Sequence, residues 1–61
     1  MVHNGDVFYD ERNGRYLTAD GHGADPKCWR CIQEEMNEDG EYEVTDTVLM
    51  MQGELERMAR V

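Results

Sequence analysis

The sequence predicts a small α+β domain of order ββαβα: a β-hairpin and a short third strand packed with two helices. Three observations lead there. Val7-Phe8-Tyr9 and Tyr16-Leu17-Thr18 are strand-type runs on either side of an Asn13-Gly14 turn signal. Asp25-Pro26 has the form of a helix start. Val48, Met51, Leu55 and Met58 fall at helical spacing near the C-terminal end.

Each element has its own signal. Opposing Asp10 and Arg15 leaves a four-residue loop, a common hairpin length. In that register Tyr9 faces Tyr16 and Phe8 faces Leu17. Asp20-Gly21-His22-Gly23-Ala24 reads as a loop, punctuated by two glycines and an Asp. Asp25 as cap and Pro26 as first helical residue open a helix that runs to about Asn37 and stops at Asp39-Gly40. Tyr42 and Val44 alternate with Glu41 and Glu43, a short third strand with one buried face. Thr45 and Asp46 suit the start of the last helix, and Arg57 and Arg60 suit its last turn. Gly53 inside it costs about 1 kcal/mol relative to Ala and marks a close approach to another element.

Sixty-one residues make one domain, residues 1–61. A chain this short buries only about 60% of its unfolded surface. One Phe, one Trp and five Met make a thin apolar inventory, so a metal, a disulfide or a partner is expected to help. Fourteen acids stand against six bases, a formal charge of -8. That balance opposes direct binding to nucleic acid, which needs clustered Lys and Arg. The first residues lack the apolar stretch of a signal peptide, and no apolar run is long enough for a membrane span. The expectation is a cytoplasmic protein with no membrane contact and with reduced thiols.

Cys28-Trp29-Arg30-Cys31 is a C-x2-C pair. On the first turn of a helix, two thiolates at this spacing hold adjacent corners of a zinc tetrahedron. His22 lies six residues before Cys28. The hairpin register, carried outward, sets His3 opposite His22. The expected metal ligands are Cys28, Cys31, His22 and His3, with Asp20, Asp25 or Glu35 as substitutes for His3. Four protein ligands make the zinc structural, tying the hairpin to the first helix. The rival reading makes both cysteines small buried apolar residues beside Trp29, Ile32 and Met36. A redox C-x2-C is disfavoured, because a thioredoxin-like strand–helix alternation does not fit this length.

Asp20-Gly21-His22 has the ingredients of a general base, but such a pair in a glycine loop is common by chance and the acidic charge repels a nucleic-acid substrate. The chain is expected not to be an enzyme. Its charge is concentrated: residues 34–46 hold seven acids and no base. Glu34, Glu35, Glu38, Asp39, Glu41, Glu43 and Asp46 form either a solvated face or a negative patch that docks on a basic surface, imitating the spacing of DNA phosphates.

The expected function is therefore a non-enzymatic protein–protein interaction module. It acts as a regulator or inhibitor on a larger basic protein, such as a nucleic-acid-binding enzyme, as small acidic phage or bacterial accessory proteins do. The alternative is an obligate homodimer or antitoxin-like small subunit that associates through Met51, Leu55 and Met58 of a Met-rich C-terminal helix.

Overall fold

In the computed structural model, which describes residues 1–61, the N-terminal hairpin forms in the register expected from the sequence. β1 (Val7–Asp10) pairs antiparallel with β2 (Arg15–His22), with Asp10 opposite Arg15, Tyr9 opposite Tyr16 and Phe8 opposite Leu17. Gly14 takes φ +62 in the turn, which glycine adopts at no steric cost. The Asp10 carboxylate holds the loop by accepting from the Asn13 amide, the Asn13 side chain and Arg15.

The rest of the architecture departs from ββαβα. The chain continues as β3 (Cys28–Met36), β4 (Tyr42–Met51), a one-turn helix α1 (Gln52–Glu56) and a two-residue β5 (Ala59–Arg60). All strands belong to one antiparallel sheet of order β4-β3-β2-β1-β5. The first expected helix is β3. Asp25 and Pro26 do open an ordered turn, but it closes after one step. The Asp25 side chain accepts the Lys27 N–H, and the Asp25 carbonyl accepts the Cys28 N–H. Asp followed by Pro suits a β-turn as well as a helix start. The residues after the turn decide between them. Trp29, Cys31 and Gln33 are buried in alternation with Arg30 and Ile32, and a two-residue period is a strand.

The second expected helix is mostly β4. Val44, Thr45, Thr47 and Val48 are β-branched and favour extended backbone. The expected third strand at Tyr42 and Val44 lies within it, but those two residues are exposed rather than on a buried face. Only Gln52–Glu56 is helical, and Gly53 there approaches nothing: a Cβ would meet open space. The apolar stripe does not share one face. Leu55 is fully buried and Val48 and Met58 pack against the core, whereas Met51 is exposed on the other side of the sheet.

The core lies on one face of the sheet. Val2, Phe8, Leu17, Ala19, Trp29, Cys31, Met50 and Leu55 form it, with Val48 and Met58 against its margin. Phe8, Leu17, Cys31 and Leu55 are fully buried. Burying a Phe or Leu side chain contributes about 1.5–3 kcal/mol, so α1 is held mainly by Leu55. The helix also carries the chain from β4 to the far edge, where β5 pairs with β1 and the Arg60 guanidinium lies 5.1 Å from the centre of the Phe8 ring.

Candidate functional site: the outer face of β3 and β4

Alternation along β3 and β4 gives the sheet two unlike faces. Trp29, Cys31 and Gln33 point to the core side. Cys28, Arg30, Ile32, Glu34 and Met36 point to the outer side. Register fixes their neighbours on β4. Cys28 lies opposite Met51, Arg30 opposite Leu49, Glu34 opposite Val44 and Met36 opposite Tyr42. Between Gln33 and Glu34 the register shifts, leaving Thr45 as an extra residue. This bulge has a chemical anchor. The Gln33 amide donates to Thr45 Oγ1, and the Thr45 hydroxyl donates to Glu35 at 2.7 Å.

The bulge also switches parity. Tyr42 and Val44 would otherwise lie on the opposite face from Leu49 and Met51. With one residue inserted, all four share the outer face. Met36, Tyr42, Val44, Leu49 and Met51 are five of the seven large apolar residues the molecule exposes, at 57%, 38%, 64%, 65% and 45%. Tyrosines extend the patch across the sheet. The Tyr9 and Tyr16 rings are 4.9 Å apart, and Tyr16 and Tyr42 meet edge to face at 4.8 Å. Partial desolvation raises the Tyr42 phenol above its ordinary pKa, and the neighbouring phenols add to the effect.

Of the seven acids of residues 34–46, Glu34 shares this face, Glu38, Asp39 and Glu41 lie at or beside the adjoining turn, and Glu35, Glu43 and Asp46 project from the opposite face of the same strands. Five are exposed, while Glu34 and Glu35 are half-buried. None makes an ion pair; the three in the molecule are His3–Asp6, Arg15–Asp10 and Arg60–Asp6. Elsewhere charge is better balanced. The open groove between the β1–β2 turn and α1 brings Arg12, Arg15 and Arg57 together with Asp10, Glu11 and Glu54. The β3–β4 turn is fixed by Asn37, whose side-chain oxygen accepts the Asp39 and Glu41 amides, and by Gly40 at φ +80. The acids Glu38, Asp39 and Glu41 thus sit on an ordered tip.

β4 is an edge strand. It bonds to β3 on one side and to no strand on the other. Its ten residues reach about 33 Å when extended, close to the 36 Å long dimension of the molecule. It holds no proline and no lysine, two residues that commonly guard such edges. Its devices are the bulge and two acids, Glu43 and Asp46.

The expected metal ligands are not brought together. Cys28 and Cys31, three apart on a strand rather than a helix, point to opposite faces. His3 and His22 do not face each other. The chain turns back at residues 3–6, where the Asp6 N–H donates to the His3 carbonyl. His3 is left 70% exposed beside Asp6, and Val2 enters the core. His22 packs against Trp29, the rings tilted by 41° with their centres 4.0 Å apart. Nowhere do three His, Cys, Asp or Glu side chains form a group that could hold a metal ion. The donor set for a structural zinc is therefore not assembled in this arrangement. Burial, reinforced by Cys28, pushes the Cys31 thiol up to about 11. That keeps the free thiol protonated at neutral pH, which disfavours redox chemistry at Cys31.

The expected partner contacts divide. Met51 is on the outer face, but Leu55 is fully buried and Met58 packs against the core. They form no common exposed stripe. Met36 and Val44 carry no signal in the sequence that marks them as part of one surface with Tyr9, Tyr16 and Leu49. The pairing of Tyr9 with Tyr16 is the one sequence feature that points toward it.

No protein-family model, no curated protein and no solved structure matches this chain. No helix is long and apolar enough to cross a membrane.

Proposed function

We propose that this chain is a non-enzymatic interaction module that docks on a larger basic protein, as a regulator or inhibitor, through the outer face of β3 and β4 and the acids around it. One observation carries the reading. Seven acids without an ion-pair partner lie on the same two strands and turn as an exposed apolar and aromatic patch, on that face, at the turn and at the strand edge behind it. Each half has a weaker meaning alone. Exposed charge keeps a small protein soluble, and scattered exposed apolar residues are ordinary. A contiguous apolar patch rimmed by polar groups is the usual anatomy of a protein interface. Unpaired acids beside it select a cationic partner and speed the encounter.

The test is titration with a decamer of arginine, monitored by amide chemical shifts at low and high salt. Shifts confined to residues 34–46 and their neighbours, weakening as salt rises, support the reading. Two variants localise the charge. Neutralising Glu34, Glu43 and Asp46 to their amides should weaken binding far more than neutralising Asp20, Glu54 and Glu56. Equal losses would show that the chain attracts cations only through its overall charge, and the reading would fall.

A further inference from the structure

The free edge of β4 says how such a partner engages. We infer that the partner supplies an extended segment that adds to the sheet as a strand beside β4, with apolar and basic residues in alternation. This rests on the docking reading above. Strand addition needs three things: an unpaired edge, access along its length, and side chains that select the incoming strand.

β4 meets all three. It is terminal in the strand order, and eight of its ten residues are exposed. Its two sides differ in chemistry. On the outer side the incoming strand would lie beside Tyr42, Val44, Leu49 and Met51. On the other side it would lie beside Glu43 and Asp46, which register places opposite Glu35 and Gln33, and after them beside Val48 and the buried Met50. Successive residues of a strand point to opposite faces. The segment that fits therefore spans about eight to ten positions, the length of β4, with apolar residues on the outer side and Arg or Lys on the other side where it passes Glu43 and Asp46. Charge decides the occupant. A second copy would bring another Glu43, Asp46 and acidic tip against the first, with two chains of charge -8. Like charges on adjoining strands oppose pairing.

The probes are two decamers of identical composition, one alternating valine with arginine and one with the valines and arginines in separate blocks. Affinity is measured by titration calorimetry, and β4 amides by hydrogen exchange. The alternating peptide should bind about tenfold tighter than the block peptide, the equivalent of about two cross-strand side-chain contacts. It should slow exchange at the β4 amides that do not bond to β3. The Val44→Ser, Leu49→Ser variant should lose that advantage while still binding the block peptide. Both replaced side chains are exposed, so the fold should survive, and circular dichroism checks this.

Equal, salt-sensitive binding of both peptides without β4 protection would overturn strand addition and leave charge-led docking standing. Failure of both peptides to bind would remove both readings. A dimer of the free protein, with β4 already protected, would show that a second copy takes the edge and would overturn the inference.

Discussion

Replacing Cys28 and Cys31 by serine separates a metal clip from a strand in which the two thiols have unrelated surroundings. A clip makes them equivalent, because losing either ligand abolishes the site and unfolds the domain. The structure makes them unequal. Cys31 has no exposed surface and sits in the cluster with Phe8, Leu17, Trp29 and Leu55. Its thiol reaches only the Trp29 carbonyl oxygen at 3.8 Å. A serine hydroxyl, on a shorter bond, would lie farther from that oxygen and be left without a good partner. Burying such a group costs about 1–3 kcal/mol. Total stability for a chain of this length is about 3–9 kcal/mol, so Cys31→Ser removes a large share of it. Cys28 is half-buried on the outer side, where a hydroxyl can reach water. Cys28→Ser should change stability by no more than about 0.5 kcal/mol. Urea unfolding followed by Trp29 fluorescence, with and without a strong chelator, measures both. The expected result is a midpoint lowered only by Cys31→Ser and unmoved by chelator. Equal and severe losses for both variants, reproduced by chelation of the wild type, would refute the reasoning.

Three further outcomes are expected. Alkylation of the folded protein at neutral pH should modify Cys28 well before Cys31, because Cys31 is both shielded and held protonated with a pKa of about 11; faster reaction at Cys31, seen by peptide mass mapping, would contradict its burial. Asp10 should support the fold in a pH-dependent way. Burial alone would raise its pKa, but hydrogen bonds from Asn13 and Arg15 and the Arg15 charge outweigh burial, so the folded pKa lies below 3.8. Its contribution is then complete above the unfolded value and fades as pH falls through the folded one. Asp10→Asn should cost about 1.5–3 kcal/mol at neutral pH, a difference that shrinks in acid; a difference independent of pH, in urea unfolding across the acid range, would contradict the assignment. Gly53→Ala meets only open space and should raise stability by about 0.5 kcal/mol, whereas a loss in the same unfolding assay would mean that the helix is not formed as described.

How much was legible depended on whether a local signal had one structural meaning. Asn13-Gly14 between two aromatic runs has essentially one, and it gave the first hairpin its true register. Asp39-Gly40, expected to stop a helix, instead lies in the turn between β3 and β4. Asp25-Pro26 has two meanings, because the same side-chain acceptor and fixed φ serve a helix cap and a β-turn. Residues 28–36 then fit either period. Trp29, Ile32 and Met36 suit a helix, while Trp29, Cys31 and Gln33 suit a strand. Only pairing with β2 and β4, a long-range property, chooses between them. Val48, Leu49, Met50 and Met51 are apolar without interruption, so neither period shows. They alternate between the core and the exposed patch, and an apolar patch looks like core when read in one dimension. The acids of the candidate surface were legible as a run. Its apolar half was not, because the bulge at Thr45 puts even- and odd-numbered residues on one face.

The central claim is that the acids and the apolar outer face of β4 form one docking surface. A double-mutant cycle tests it most directly: Glu43→Gln with Asp46→Asn as one leg, Val44→Ser with Leu49→Ser as the other, read by affinity for the alternating valine–arginine peptide. Groups that grip the same strand should couple, by about 0.5–1 kcal/mol. Losses that simply add, or a full-affinity response to either pair, would show two unrelated features and contradict the account.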